Sequence, residues 1–281
     1  MRILSDCGST SCKWVIEGRG DRFDGPGINP SVMSAEARAA ALEANGRLFA
    51  GFPAGEVERV DFFGTGCLDT RTKAIVAGWL RTLFPRADIR VESDLYGACL
   101  AVYEGRETAV GILGTGSAAA GFDGLDIVRL TPSLGYRLAD EGAGSDIGRR
   151  MLTAYLYGEM PEELSAAFGV LFPGTEPGSV IETFYGGQAG SAYLARYTRI
   201  ASDHAGHPFI RQAVSEAFDG FIRRHMQPLL RKGYTHAGIV GSVGYGFRTL
   251  LEPLLREAGF VSVKIVRDPL DILPQKIWGK P

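Results

Sequence analysis

The chain has 281 residues, of which 45% are hydrophobic and 38 are glycine, enough for one large domain or, more comfortably, two. A formal net charge of −2, without clustering of Lys and Arg, argues against nucleic acid or an anionic membrane as the main partner. Four cysteines (Cys7, Cys12, Cys67 and Cys99) form no CxxC pair and have no His at zinc-like spacing, which argues against a structural zinc module and a secreted disulfide framework. The opening "MRILSDCGST" carries one basic residue and no apolar h-region, and no apolar run approaches the ~18 residues of a membrane span. A reducing cytoplasm is the expected setting.

In chain order, the first element is an apolar strand that ends in "LSDCGS", turns on Gly8, Ser9 and Thr10, and returns as a second apolar stretch through Trp14. This is the pattern of a β-hairpin rather than of strand-to-helix. "VERVDFFGTGC" is a strand turning at Gly64–Gly66, and Ile75, Val76, Trp79, Leu80 and Leu83 then recur at helical spacing. "DIRVESD" is a further strand ending at Asp94, and "LYGA" begins a helix. Polar residues in "YEGRETAV" place a boundary near 105–108, giving lobes 1–106 and 107–281.

The second lobe repeats this order. "GILGTGSAAAGFDG" is a hairpin with its tip at Gly114, Thr115, Gly116 and Ser117. "HAGIVGSVGYGF" is a strand with a turn at Gly241, Ser242, Val243 and Gly244, followed by Leu250, Leu251, Leu254 and Leu255 on a helix. "VSVKIVRD" is a strand ending at Asp268. The halves differ by a mostly helical insertion from Asp140 to Lys232 in the second. The expected fold is α/β: two duplicated lobes with a cleft between them, where small ligands bind.

Glycine lets a backbone approach phosphate without a Cβ clash, so Gly8, Ser9, Thr10, Gly114, Thr115, Gly116 and Ser117 suit a polyphosphate. No Gly-Lys-Ser/Thr follows either tip, so neither is a Walker A loop, and the return as a strand excludes a dinucleotide fingerprint. Asp6 ends the first strand beside one tip. It suits a Mg²⁺ ion held between carboxylate and phosphate, or a turn. Asp94 can act as a base or, like Ser93, cap the next helix. Asn29 in "GINP" reads as a turn residue before proline. Glu141 could serve a metal or Arg137.

"GPGINP", "FFGTGC", "ESDLYGA", "GILGTGSAAAGFDG", "LGYRLADEGAG" and "IVGSVG", in this order, resemble the N-acetylglucosamine kinases and BadF/BadG-type ATPases of the sugar kinase–actin–heat-shock chaperone superfamily, built on a doubled ribonuclease H-like fold. The resemblance implies an ATP- and Mg²⁺-dependent kinase acting on the 6-hydroxyl of an amino sugar, N-acetylglucosamine first, as a cytoplasmic homodimer whose lobes close over the substrate. It implies Asp94 as catalytic base and Asp6 at the metal. Sugar contacts would be Asn29, Asp94, Ser133, Leu134, Gly135 and Asp140, and Gly206, Gly241, Ser242 and Gly244 would lie at the nucleotide. Leu134 departs from the Trp common in related kinases. Glucosamine and N-acetylmuramate are alternative acceptors. A different reading is an ATP-driven dehydratase activator with an iron-sulfur cluster at a dimer interface, although no cysteine follows Cys99. A chaperone- or actin-type switch is disfavoured by the lack of a peptide-binding domain.

Overall fold

The computed structural model describes residues 1–20, 22–187 and 190–279. They form two compact units, one of residues 1–101 with the described chain from Asp268 onward, the other Val102–Arg267. In the first unit the strands are β1 (Arg2–Cys7), β2 (Ser11–Ile16), β3 (Arg22–Pro26), β4 (Arg59–Gly64) and β5 (Asp88–Ser93), in the order β3-β2-β1-β4-β5. The pairs β1–β2 and β2–β3 are antiparallel, and β1–β4 and β4–β5 are parallel. Central β1 and β4 carry buried residues on both faces, as Ile3, Leu4, Val60, Phe62 and Phe63 show. Edge strand β3 is charged, contains Gly and ends in Pro, a composition that discourages further strand pairing.

Helices α1 (Ala35–Arg47), α2 (Thr70–Leu83) and α3 (Asp94–Val102) follow along this part of the chain. Asp69 caps α2 by accepting the Thr72 N–H at 2.7 Å, and Val76 and Leu80 form its buried face. Asn45 of α1 is buried with every polar atom used: its Oδ1 accepts the Trp14 Nε1–H at 2.9 Å, and its Nδ2 donates to the Pro26 and Ala41 carbonyls, each at 2.8 Å.

The second unit repeats the sheet. Strands β6 (Thr108–Leu113), β7 (Ser117–Phe122), β8 (Ile127–Val128), β9 (His236–Val240) and β10 (Ser262–Val266) run β10-β9-β6-β7-β8, with the same antiparallel and parallel pairings. Here the strands are lined with Ala and Gly because large side chains press on them. A Cβ on Gly111 would lie 2.8 Å from the Phe221 ring. The insertion is helical, as the sequence predicts: α4 (Gly144–Leu156), α5 (Glu162–Leu171), α6 (Pro177–Tyr185), α7 (Ser191–Ala195), α8 (Thr198–Asp203), α9 (Pro208–Phe221), a π-helical turn (Ile222–Met226) and α10 (Gln227–Arg231). Phe168, Tyr197 and Phe218 are fully buried in its core. After β9 come α11 (Ser242–Gly246) and α12 (Arg248–Glu257), and α13 (Leu273–Trp278) ends the described chain. None of the described helices is long and apolar enough to cross a membrane.

The division differs from two continuous lobes meeting at 106/107. The chain passes to the second unit after Ala101, and residues from Asp268 onward return to the first. The cause is apolar burial: Leu270 and Leu273 pack with Leu4, Val15, Phe63 and Ala101. Lys13 of β2 also pairs with Asp268 at 2.6 Å.

Replacing Asn45 by Leu strands the Trp14 N–H in the core and takes a partner from the Pro26 carbonyl at its edge. The expected cost is about 2–4 kcal/mol, read as a lower urea midpoint at unchanged slope.

Candidate active site

In the first unit, β1 ends at Asp6 and Cys7, and the turn Gly8–Thr10 closes with the Gly8 N–H donating to the Ser11 carbonyl at 2.9 Å. The segment after β3 packs on this turn: the Gly27 N–H donates to the Thr10 carbonyl at 3.2 Å, and Asn29 Nδ2 lies 3.5 Å from Ser9 Oγ. Asn29 Oδ1 also accepts the Ser31 N–H at 3.2 Å, and the Ser31 hydroxyl donates to the Gly66 carbonyl at 2.7 Å. The three motifs "SDCGST", "GINP" and "FGTG" are thus tied together by hydrogen bonds.

Asp94 opens α3 at the end of β5. The capping contact falls to its neighbour: Ser93 Oγ accepts the Tyr96 N–H at 3.2 Å, while Asp94 Oδ1 accepts the Leu95 N–H at 2.8 Å. Asp6 is hemmed in by protein, with Asp94 and Asp268 close enough to act on it. Burial foremost, then these two carboxylates, push the Asp6 carboxyl up to about 7, against the pull of Lys13. A desolvated carboxyl beside further carboxylates is a place that gains by taking a cation. Among the described residues no group of three or more His, Cys, Asp or Glu could hold a metal. A single Asp fits Mg²⁺, whose shell is mostly water and phosphate oxygen.

In the second unit the hairpin tip is built into its surroundings by backbone bonds. The Gly114 N–H donates to the Gly116 carbonyl at 3.1 Å. The first N–H groups of α4 are taken up by the tip: Gly144 donates to the Gly114 carbonyl at 2.8 Å, and Ser145 to the Thr115 carbonyl at 3.1 Å. Gly241, at φ +128°, brings the β9–α11 turn so close to Leu113 that a side chain there would meet the Leu113 carbonyl. Gly244 packs on Leu113 as well, where a Cβ would be 3.3 Å from the Leu113 Cβ. The 114–117 hairpin tip and the β9–α11 turn, with Ser242 between the two glycines, are therefore neighbours. The buried Ser117 Oγ at the tip has no hydrogen-bond partner among the described residues. Buried hydroxyls are ordinarily paired, so this one has a hydrogen bond to give.

Asp140 is the one non-glycine residue at positive φ among those described, +65°. Its carboxylate lies against the hairpin tip, where a Cβ on Gly116 would lie 2.9 Å from Oδ2 and the Ser117 N–H acts on it, a placement that the sequence reading did not foresee. Burial, opposed by this N–H and helped by Glu141, raises its pKa. Of its predicted companions, Ser133 Oγ accepts from Arg129 at 2.9 Å, Leu134 is exposed, and Gly135 turns the chain at φ +74°. Gly206 lies in the turn between α8 and α9, and α9 is capped by His207, whose Nδ1 accepts the Phe209 N–H at 3.1 Å.

Glu141, expected to serve a metal or Arg137, instead bonds to Arg224 and, at 3.1 Å, to Nε2 of buried His225. Burial pushes its carboxyl up, but its own N–H, His225 and Arg224 outweigh this and hold it below the usual carboxylate range. His225 Nδ1 lies 2.8 Å from Thr131 Oγ1, so one imidazole holds both ends of the segment 131–141. Sequence reasoning missed His225 because 84 positions separate it from Glu141. All four cysteines are buried free thiols, and burial pushes Cys67 up to about 12.

No family model matches the chain, and no curated protein does. Among solved structures, a candidate N-acetylglucosamine kinase from Porphyromonas gingivalis is 30% identical, with 98% of each chain covered and a TM-score of 0.89. One from Chromobacterium violaceum is 20% identical, with 96% of each chain covered and a TM-score of 0.69. A ROK-family glucokinase from Streptomyces griseus, solved with glucose and AMPPNP, shares the fold at 16% identity and a TM-score of 0.61, over 94% of this chain and 93% of its own. The duplicated sheets with their glycine hairpins thus define a protein of the sugar kinase–actin fold class. Within that class, the chain belongs to the N-acetylglucosamine kinase family.

The raised Asp6 pKa sets a sign. Its ionised form is disfavoured in the fold, so nucleotide-free protein loses stability as pH rises from the unfolded-chain value near ~3.9 through about 7. Asp6→Asn removes this loss. Its gain in Tm over the parent protein is expected to be larger at pH 8 than at pH 5, and an equal gain at both would refute the assignment.

Proposed function

We propose that this ATP-dependent sugar kinase phosphorylates an amino sugar, N-acetylglucosamine in the first instance, at its 6-hydroxyl. The observation that carries the reading is the 30% identity to the Porphyromonas gingivalis protein over 98% of both chains. In this reading Asp94 is the general base. It takes the proton of the 6-hydroxyl as that oxygen forms its bond to the γ-phosphorus and the bond to the ADP oxygen breaks. That Ser93 supplies the helix-capping contact supports a role for Asp94 beyond capping.

The turn residues Gly8, Ser9 and Thr10 and the tip Gly114, Thr115, Gly116 and Ser117 would receive the phosphates, and Ser117 Oγ would find there the partner it lacks. Gly241, Ser242 and Gly244 would lie along the adenosine, with Gly206 a further nucleotide contact. Asp6 would hold Mg²⁺, directly or through water, and the ion would neutralise polyphosphate charge. Asn29, Ser133, Leu134, Gly135 and Asp140 would contact the sugar, and the hold of Asp140 on Ser117 N–H would link the sugar segment to the phosphate tip. The same reading includes a homodimer in the cytoplasm. Exposed Val170, Ile181 and Tyr185 on α5 and α6 supply apolar surface for a second copy to cover, which sedimentation tests.

The test is ADP release across N-acetylglucosamine, glucosamine, N-acetylmannosamine, N-acetylmuramate and glucose. The highest kcat/KM is expected for N-acetylglucosamine, and ATP turnover indifferent to every amino sugar would end the proposal. Asp94→Asn is expected to lower kcat by roughly 10²–10⁴-fold while binding of AMPPNP persists. Full activity in that variant would remove Asp94 from the base role.

A further inference from the structure

The segment Tyr136–Glu141 has two faces. Asp140, at φ +65°, turns its carboxylate to Ser117 of the phosphate hairpin. Ala139 and Glu141, on either side of it, line a cavity of about 380 Å³ that Asp140 does not line. Arginines reach this cavity from three elements: Arg137 from the segment, Arg149 and Arg150 from α4, and Arg223 and Arg224 from the π-helical turn.

The carboxylates in the lining are Glu141, Asp146 and Glu216. Buried Asp146 binds Arg149 at 2.6 Å and Arg150 at 3.3 Å, Arg150 also reaches Glu216 at 3.3 Å, and Glu141 holds Arg224. Arg137 bonds to its neighbour's Tyr136 hydroxyl at 3.1 Å. Among the described residues neither Arg137 nor Arg223 has a carboxylate partner. Five guanidiniums against three carboxylates leave the lining with a formal charge of +2.

Such a lining attracts a dianion. A guanidinium offers a planar fork of N–H donors that matches phosphate oxygens two at a time, and a phosphomonoester carries about −1.5 to −2 charges at neutral pH. The cavity, about 380 Å³, lies within the roughly 300–1,000 Å³ of small-molecule sites, so it admits more than an inorganic ion. We propose that this cavity is a phosphomonoester-binding site, separate from the phosphate hairpin, with Arg137 and Arg223 as its two uncommitted contacts. The ligand is inorganic phosphate or a small phosphorylated metabolite such as a hexose phosphate.

Calorimetric titration of the full chain at fixed ionic strength tests it, with inorganic phosphate in one arm and glucose 6-phosphate in the other. AMPPNP serves as a separate probe of the nucleotide site. Binding in at least one arm is expected, weakened about tenfold or more in the Arg137→Gln/Arg223→Gln double variant while AMPPNP affinity stays unchanged. Tighter binding of glucose 6-phosphate identifies the metabolite as the ligand, and equal binding identifies the phosphate group alone. No binding in either arm into the millimolar range, or equal affinity in parent and variant, overturns the proposal. The readout needs no turnover, so it stands or falls apart from the choice of sugar acceptor.

Discussion

The second unit depends on one contact between backbones. The carbonyls of Gly114 and Thr115 accept the N–H groups of Gly144 and Ser145 at 2.8 and 3.1 Å, so a hairpin tip and a helix N-terminus satisfy each other without side chains. A contact this close constrains everything near it. Gly241 must be glycine because its Cα sits on the Leu113 carbonyl at φ +128°, and Gly116 leaves space for the Asp140 carboxylate. The thin Ala/Gly strands follow the same logic, since Phe221 of the helical insertion presses directly on Gly111.

In the first unit the controlling constraint is charge. Asp6 ends a strand whose other residues are mostly buried, and Asp94 and Asp268 raise its pKa further, with Lys13 as the local counterweight. The return of the C-terminal segment, anchored by Leu270 and Leu273, brings Asp268 to this place. The apolar packing of the chain end and the electrostatics of the candidate site are therefore one arrangement.

Much of this was legible beforehand. Hairpin, strand, glycine turn, helix and closing strand could be read twice because period-2 and period-3.6 patterns with glycine punctuation are local signals. Edge strands β3 and β8 were not seen: one is charged with Gly and Pro, the other two residues long, and neither alternates strongly. The π-helical turn at Ile222–Met226 reads as ordinary helix, since only its hydrogen bonds distinguish it. At the site, the glycine tips, Asp6, Asn29 and Asp94 stood out by motif. The partners of Glu141 did not, because Arg224 and His225 come from the far end of the insertion.

By itself the sequence determined the duplicated α/β plan, the two glycine hairpins and the family resemblance, because each rests on residue types at short, regular spacing. Only the tertiary structure decided which neighbours those residues have. It assigned the chain from Asp268 onward to the first unit, the Asp140 carboxylate to the tip of the second glycine hairpin, and Glu141 to Arg224 and His225. These outcomes follow from burial and hydrogen-bond satisfaction between segments far apart in the chain, quantities that have no local pattern to read.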